Sequence, residues 1–172
     1  VYRRDGKTYI RVIDYKTGRT RFSYDDVQLG LNIQLLLYLF SAWRSQGSPF
    51  HRELDGGEAT ELVPAGALYF NLRPGDLTAD TPLTEEEARE QLIDSMERSG
   101  VVTDDRDVLD AMDSGITGRY VPVSLKADGS YRKSASLATL ERFGELEREM
   151  CSTVSRIATE MRRGDAMASP LD

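Results

Sequence analysis

An apolar segment, Tyr9-Ile10-Arg11-Val12-Ile13, reads as the body of a β-strand running from Lys7 to Tyr15. A shorter strand, Val1 to Arg4, precedes it across Asp5-Gly6, a favoured hairpin turn. Thr17 to Phe22 is polar and reads as a connection. Ser23, with Asp26 three residues on, resembles a capping box in which Asp replaces the usual Glu or Gln. From Val27 to Trp43 the chain is dense in apolar residues, and the pattern predicts a helix continuing to about Arg44. Leu29, Leu31, Ile33, Leu35, Leu36, Leu37, Leu39 and Phe40 leave almost no polar side, which marks a core helix. Gly30 within it costs roughly 1 kcal/mol relative to Ala, so close packing against a sheet is expected there.

Gln46 to Ala65 carries Gly47, Pro49, Gly56, Gly57 and Pro64 and reads as a loop, with His51 as a surface residue. Ala67 to Leu72 is a short apolar strand, expected to be central and beside the first long strand, and Arg73-Pro74-Gly75-Asp76 ends it. Thr84-Glu85-Glu86-Glu87 opens a helix to Arg98, its acids complementing the helix dipole. Asp105 to Met112 reads as a short helix with Val108, Leu109 and Met112 inward. Tyr120 to Leu125 and a turn at Asp128-Gly129 predict a strand pair. Ser136 opens a last helix, striped by Leu137, Leu140, Phe143, Leu146, Met150, Val154, Ile157 and Met161 at steps of three and four. That spacing is a packing stripe.

At 172 residues and 40% hydrophobic content, one domain with a sizeable core is expected. One His and one Cys exclude a Cys/His zinc site made by this chain alone. Cys151, in a helical run, reads as a half-buried helix residue. The longest apolar run is about 17 residues with a Gln inside it, a core segment and not a membrane span. Paired cysteines are absent, which points to a reducing compartment, the cytoplasm by default. Net charge is −7 but uneven: residues 1–21 carry +5, and residues 53–113 carry −13. A basic hairpin suits a phosphate backbone, with Arg11, Arg19 and Arg21 as candidate DNA contacts. The acidic half is expected to face water or a basic partner.

The candidate chemistry sits where the first long strand ends. Asp14 and Lys16, two residues apart, project from one strand face, so a carboxylate and an ammonium emerge side by side. Such pairs are also common as surface ion pairs of little energetic weight. The predicted helix adds to the case. Gln34 and Tyr38 lie one helical turn apart, and a Gln buried in an apolar run needs a polar partner, since an unpaired buried amide costs about 1–3 kcal/mol. The Asp14/Lys16 strand end is the nearest candidate in sequence.

Asp14-Tyr15-Lys16 followed by Gln34-x-x-x-Tyr38 resembles the D-x-K and Q-x-x-x-Y elements of the PD-(D/E)XK nuclease superfamily, in its RecB-like branch. Gly66-Ala67-Leu68-Tyr69-Phe70, Ser99-Gly100-Val101-Val102 leading to Ala111-Met112-Asp113, and the last helix ending Arg163-Gly164-Asp165 resemble the C-terminal nuclease domain of the AddB (RexB) family of bacterial helicase–nucleases. The resemblance implies an α/β, restriction-endonuclease-like fold: a mixed β-sheet flanked by helices, with the N-terminal part of the core missing. Residues 1–72 would hold the core strands and helix, and residues 73–172 family-specific helices and a hairpin. It also implies Mg²⁺, or Mn²⁺ in its place, bound by Asp14 and the backbone carbonyl of Tyr15. Lys16 would position or help deprotonate water, while Gln34 and Tyr38 would orient the site and touch the DNA backbone. Cleavage would be largely sequence-independent.

Two family features fall outside the chain. One is an acidic residue upstream of the D-x-K strand; the other is an iron–sulfur cluster whose ligands follow a Pro-Leu like Pro170-Leu171. The implied protein is a DNA exonuclease/endonuclease domain of a helicase–nuclease acting in double-strand break repair and recombination, partnered by DNA and an AddA-like helicase, without a membrane. The fragment alone is expected to be weakly active or inactive. The rival is a catalytically incomplete nuclease-fold scaffold that binds DNA or docks to a helicase.

Overall fold

A computed structural model describes residues 1–73, 82–132 and 137–164. A mixed five-stranded sheet forms its centre, in the order β1 (Tyr2–Arg4), β2 (Lys7–Lys16), β3 (Glu61–Asn71), β4 (Arg98–Thr103), β5 (Leu137–Ala138). β1–β2 and β3–β4 are antiparallel, whereas β2–β3 and β4–β5 are parallel. The helices are α1 (Tyr24–Leu29), α2 (Gln34–Trp43), α3 (Pro49–Asp55), α4 (Glu85–Ser95), α5 (Arg106–Met112) and α6 (Leu140–Arg162). The fold is the α/β architecture expected, and the sheet continues across the 72/73 boundary through the β3–β4 ladder.

Side-chain alternation gives the sheet two cores. One face of β2 and β3 presents Ile10, Leu62, Ala67 and Tyr69 to Val27 of α1, Leu35, Leu36, Leu39 and Phe40 of α2, and Phe143, Leu146 and Met150 of α6. The other presents Leu68 and Phe70 to Leu109, Ile116, Val121 and Val123. Leu62 and Ala67, five residues apart, share a face because the β2–β3 register slips between Ile10 and Arg11, whose partners are Pro64 and Gly66. The extra residue is a bulge, the setting in which a strand tolerates a proline lacking an N–H. Gly100 is required where β4 crosses β3. Its φ is +154°, and a Cβ would stand 2.1 Å from the Ala67 carbonyl oxygen.

The expected single helix over Val27–Trp43 is broken into two. Gly30 caps α1 with φ +79°, donating to Val27 and Asp26 carbonyls, and Asn32 also takes a left-handed conformation at φ +51°. Gly30 faces α6, not the sheet: a Cβ there would meet Ile157. Dense leucines concealed the break, because Leu29 and Leu31 flank the turn and are exposed instead of packed.

Other elements depart from the reading in smaller ways. The loop before β3 contains α3, capped by Ser48 and begun by Pro49, and β3 itself starts at Glu61. α4 stops at Ser95, so that Arg98 begins β4. The predicted strand pair near Asp128-Gly129 reduces to one bridge, Leu125 with Tyr131. α6 is capped by Thr139, Leu137 belongs to β5, and Leu140, Val154 and Met161 are exposed. Cys151 is exposed. Ser136, Pro74 to Asp76 and Pro170-Leu171 lie outside the described residues.

Candidate active site

β2 carries Asp14 and Lys16 on the same face as Ile10 and Val12, the face that α2 covers. Beyond Val12 the cover ends, and the two side chains remain about one-third exposed, with Lys16 Nζ 2.8 Å from Asp14 Oδ2. The hydrogen bond and charge of Asp14 raise the lysine's pKa, outweighing its desolvation. Lys16 is therefore a firm ammonium at neutral pH. The ion pair engages Asp14 through Oδ2, and Oδ1 makes no hydrogen bond among the described residues.

Tyr69, the β3 partner of Asp14 in the parallel ladder, lies under this pair. Its ring sits 5.6 Å from Lys16 Nζ, and its hydroxyl donates to the Asn32 carbonyl at 3.0 Å. Asn32 in turn donates through Nδ2 to Asp26 Oδ2 at 2.8 Å, fixing the turn between α1 and α2. From that turn α2 begins with Gln34, whose amide donates to the Tyr38 hydroxyl at 2.6 Å. Tyr38 is about half exposed and lines, with Ile10 and Val12, a cavity against β2, on the strand face from which Asp14 and Lys16 also project.

Gln34 departs from the expectation. It is not a buried amide in search of a partner; it is exposed at the first turn of α2 and satisfied by Tyr38. The Gln–Tyr pair stands exposed on the first turn of α2, directly after the Gly30–Asn32 break.

The connection after Lys16 is bracketed by residues that sequence reasoning did not single out. Asn71, buried at the end of β3, makes two bonds of 3.1 Å to the backbone of Thr20, and Ser99 accepts from the Phe22 N–H at 2.8 Å. A polar residue closing an apolar run, as in Leu68-Tyr69-Phe70-Asn71, was the available signal. The bracket presents Arg19 to solvent and Arg21 to Glu97, 2.7 Å away. Arg11 is placed differently. It alternates with Ile13 and Tyr15 onto the other face of β2, half buried, where desolvation lowers its pKa and Nη1 has no hydrogen-bond partner among the described residues. The Tyr15 ring also lies on that face, edge-on to Phe70 at 5.9 Å.

A model of the PD-(D/E)XK nuclease superfamily matches residues 1–172. The chain belongs to that superfamily. Its residues are also 34% identical over 169 positions to a subunit of the ATP-dependent helicase/deoxyribonuclease of Clostridium acetobutylicum, covering 97% of this chain and 14% of that protein. The equivalent polypeptides of Thermoanaerobacter sp. (30% over 172 positions, 99% of this chain) and Desulforudis audaxviator (33% over 168 positions, 96%) are similar, each covered to 14%. The chain thus spans about one-seventh of the length of these relatives.

Nucleases of this superfamily generally depend on a divalent metal. Asp14 supplies a hard oxygen with a spare lone pair at an open strand end, which fits an ion that keeps most of its waters. Among the described residues no three His, Cys, Asp or Glu side chains cluster to hold a metal, and at this strand end Asp14 supplies a carboxylate. No helix among the described residues is long and apolar enough to cross a membrane.

Proposed function

We propose that this domain hydrolyses DNA phosphodiester bonds with Mg²⁺ or Mn²⁺ held at Asp14, as the nuclease part of a larger helicase–deoxyribonuclease. The observation that carries the reading is the partly exposed Asp14–Lys16 pair on the β2 face that α2 covers, the same helix that carries the bonded Gln34–Tyr38 pair. A bound divalent cation would lower the pKa of a coordinated water and polarise the phosphate. Asp14 would ligate it through Oδ1, with the Tyr15 carbonyl as a second oxygen. Lys16, held protonated, would orient that water and balance charge on the phosphate; it is a poor general base while Asp14 stays beside it. Gln34 and Tyr38 would fix the backbone of the bound strand, and Arg19 and Arg21 would add phosphate contacts that carry no base preference.

The antiparallel register of β1 directs any chain preceding Val1 along the edge of β2 towards Asp14, where an upstream acid could join the metal. An iron–sulfur cluster does not fit the residues present: Cys151 is the one cysteine of the sequence and lies exposed on α6. As the family resemblance implies, the domain would serve with a helicase partner of the AddA type in cytoplasmic repair and recombination of double-strand breaks. A scaffold without catalysis is the second reading, favoured by the lack of a three-ligand cluster among the described residues.

Lys16→Ala in the full-length protein separates the two. The nuclease reading expects loss of cleavage of linear duplex DNA by about 100-fold or more, with ATP-driven unwinding and the thermal midpoint retained. Cleavage at the wild-type rate would remove Lys16 from the chemistry and favour the scaffold.

A further inference from the structure

Tyr69 occupies a position between the two halves of the site. It is almost fully buried, yet each end of its side chain meets a different half. Its ring underlies the Lys16 ammonium at 5.6 Å, and its hydroxyl donates to the main chain of Asn32 at 3.0 Å. Asn32 has a left-handed backbone and is clamped from the other side by Asp26, through its own side chain and through the Leu31 N–H, 2.8 Å from the Asp26 carbonyl. Two residues later α2 starts. Its N-cap, Ile33, provides no side-chain hydrogen bond, so the helix entry has no cap of its own. The Tyr69 hydroxyl therefore ties the sheet to the turn from which Gln34 and Tyr38 are launched. Burial pushes the phenol pKa upward, which keeps the proton that this bond needs.

We propose that Tyr69 is a positioning residue that sets the distance between the Asp14/Lys16 strand end and the Gln34/Tyr38 helix face. The hydroxyl governs the helix half, and the ring governs the lysine half. This rests on the nuclease reading of Asp14 and Lys16. A phosphate engaged by both halves tolerates little change in their spacing, because positioning at a reacting centre is sensitive to displacements of about 1 Å. The two ends of the side chain then have separable kinetic signatures. Losing the hydroxyl loosens contacts to the bound strand and raises KM. Losing the ring as well frees the lysine head and lowers kcat.

The experiment uses the full-length protein with its helicase partner, linear duplex DNA and Mg²⁺, and compares Tyr69→Phe, Tyr69→Leu, Asn32→Gly, Gln34→Ala and Lys16→Ala. Tyr69→Phe keeps the ring and most of the volume, and is expected to raise KM about five-fold with kcat within about two-fold, the size of one lost hydrogen bond. Asn32→Gly keeps the left-handed backbone but removes the clamp to Asp26, and is expected to raise KM in the same way. Tyr69→Leu is expected to add a fall in kcat of about ten-fold, partly rescued in Tyr69→Phe by the restored ring. Combining Tyr69→Phe with Gln34→Ala should raise KM no further than Gln34→Ala alone, since both act through one contact. Wild-type KM in both Tyr69→Phe and Asn32→Gly, or effects that multiply in the double variant, would overturn the inference while an inactive Lys16→Ala left the nuclease reading standing. Full cleavage by Lys16→Ala would overturn the reading itself, and this inference with it.

Discussion

Two pairs that set a carboxylate against a basic nitrogen resemble one another in composition and differ in their surroundings. His51 and Asp55 are buried on α3, with Nε2 3.3 Å from Oδ2, an arrangement that has the look of a catalytic dyad. Backbone groups engage both side chains. Gly47 N–H donates to His51 Nδ1, which leaves Nε2 to donate to the Thr60 carbonyl, and Asp55 accepts from the N–H groups of Gly57 and Thr60. Asp14 and Lys16 are partly exposed and keep a carboxylate oxygen in reserve. A titratable pair whose valences are spent on main chain holds a loop in place. One with a spare oxygen at an open strand end can accept a ligand. Asp113 belongs to the first kind: it is buried, and it collects the N–H groups of Gly118 and Tyr120 and the Thr117 hydroxyl.

That contrast can be broken most directly at Asp55. Asp55→Ala strands two backbone donors beneath α3, and the thermal midpoint of the domain should fall by on the order of 5–10 °C. Cleavage measured well below the midpoint should be unchanged. A variant that kept its midpoint and lost cleavage would move the chemistry from Asp14 to α3.

Acid sharpens the same point with a smaller effect. Burial alone would raise the Asp55 pKa, but the Gly57 and Thr60 N–H groups and His51 together hold it below the usual carboxylate value. A pKa depressed by folding contributes stability above the unfolded value and loses it as the pH falls through the folded one. The midpoint is therefore expected to drop between about pH 5 and pH 3, less steeply in Asp55→Asn than in wild type. Equal slopes would show that the cluster contributes nothing to acid sensitivity.

The smallest effect belongs to Gln34. On an exposed amide, Gln34→Ala should cost about three- to five-fold in cleavage and shift the midpoint by no more than about 2 °C. A collapse of the midpoint would contradict the exposed position and restore the buried-amide picture.

What the sequence made legible was local. The Asp5-Gly6 turn, the Ser23 cap of α1 and the helix starts at Thr84 and Asp105 are encoded within a few residues, and each is where the pattern puts it. Asp14 and Lys16 were likewise paired by strand alternation alone. The break at Gly30–Asn32 was hidden because apolar density, which predicts burial, does not reveal which leucines pack. His51 was misread as a surface residue because its partners are main-chain groups of Gly47 and Thr60, which leave no side-chain signature. Tyr69 passed for core because nothing in sequence brings it to Asn32, 37 residues away.

The parallel pairing of β2 with β3 bears on when the site comes into being. The β1–β2 hairpin closes over a two-residue turn, a fast and local event. Asp14 meets its β3 neighbour Tyr69 only after the chain has traversed α1, α2 and α3, a crossover whose closure entropy comes due before its contacts form. The Asp14–Lys16 strand end can thus exist early in a folding or growing chain, with its ring platform and its Gln34–Tyr38 counterpart still unassembled. The chemistry proposed for this site waits for the crossover, so a nascent or half-folded domain carries the motif without the geometry.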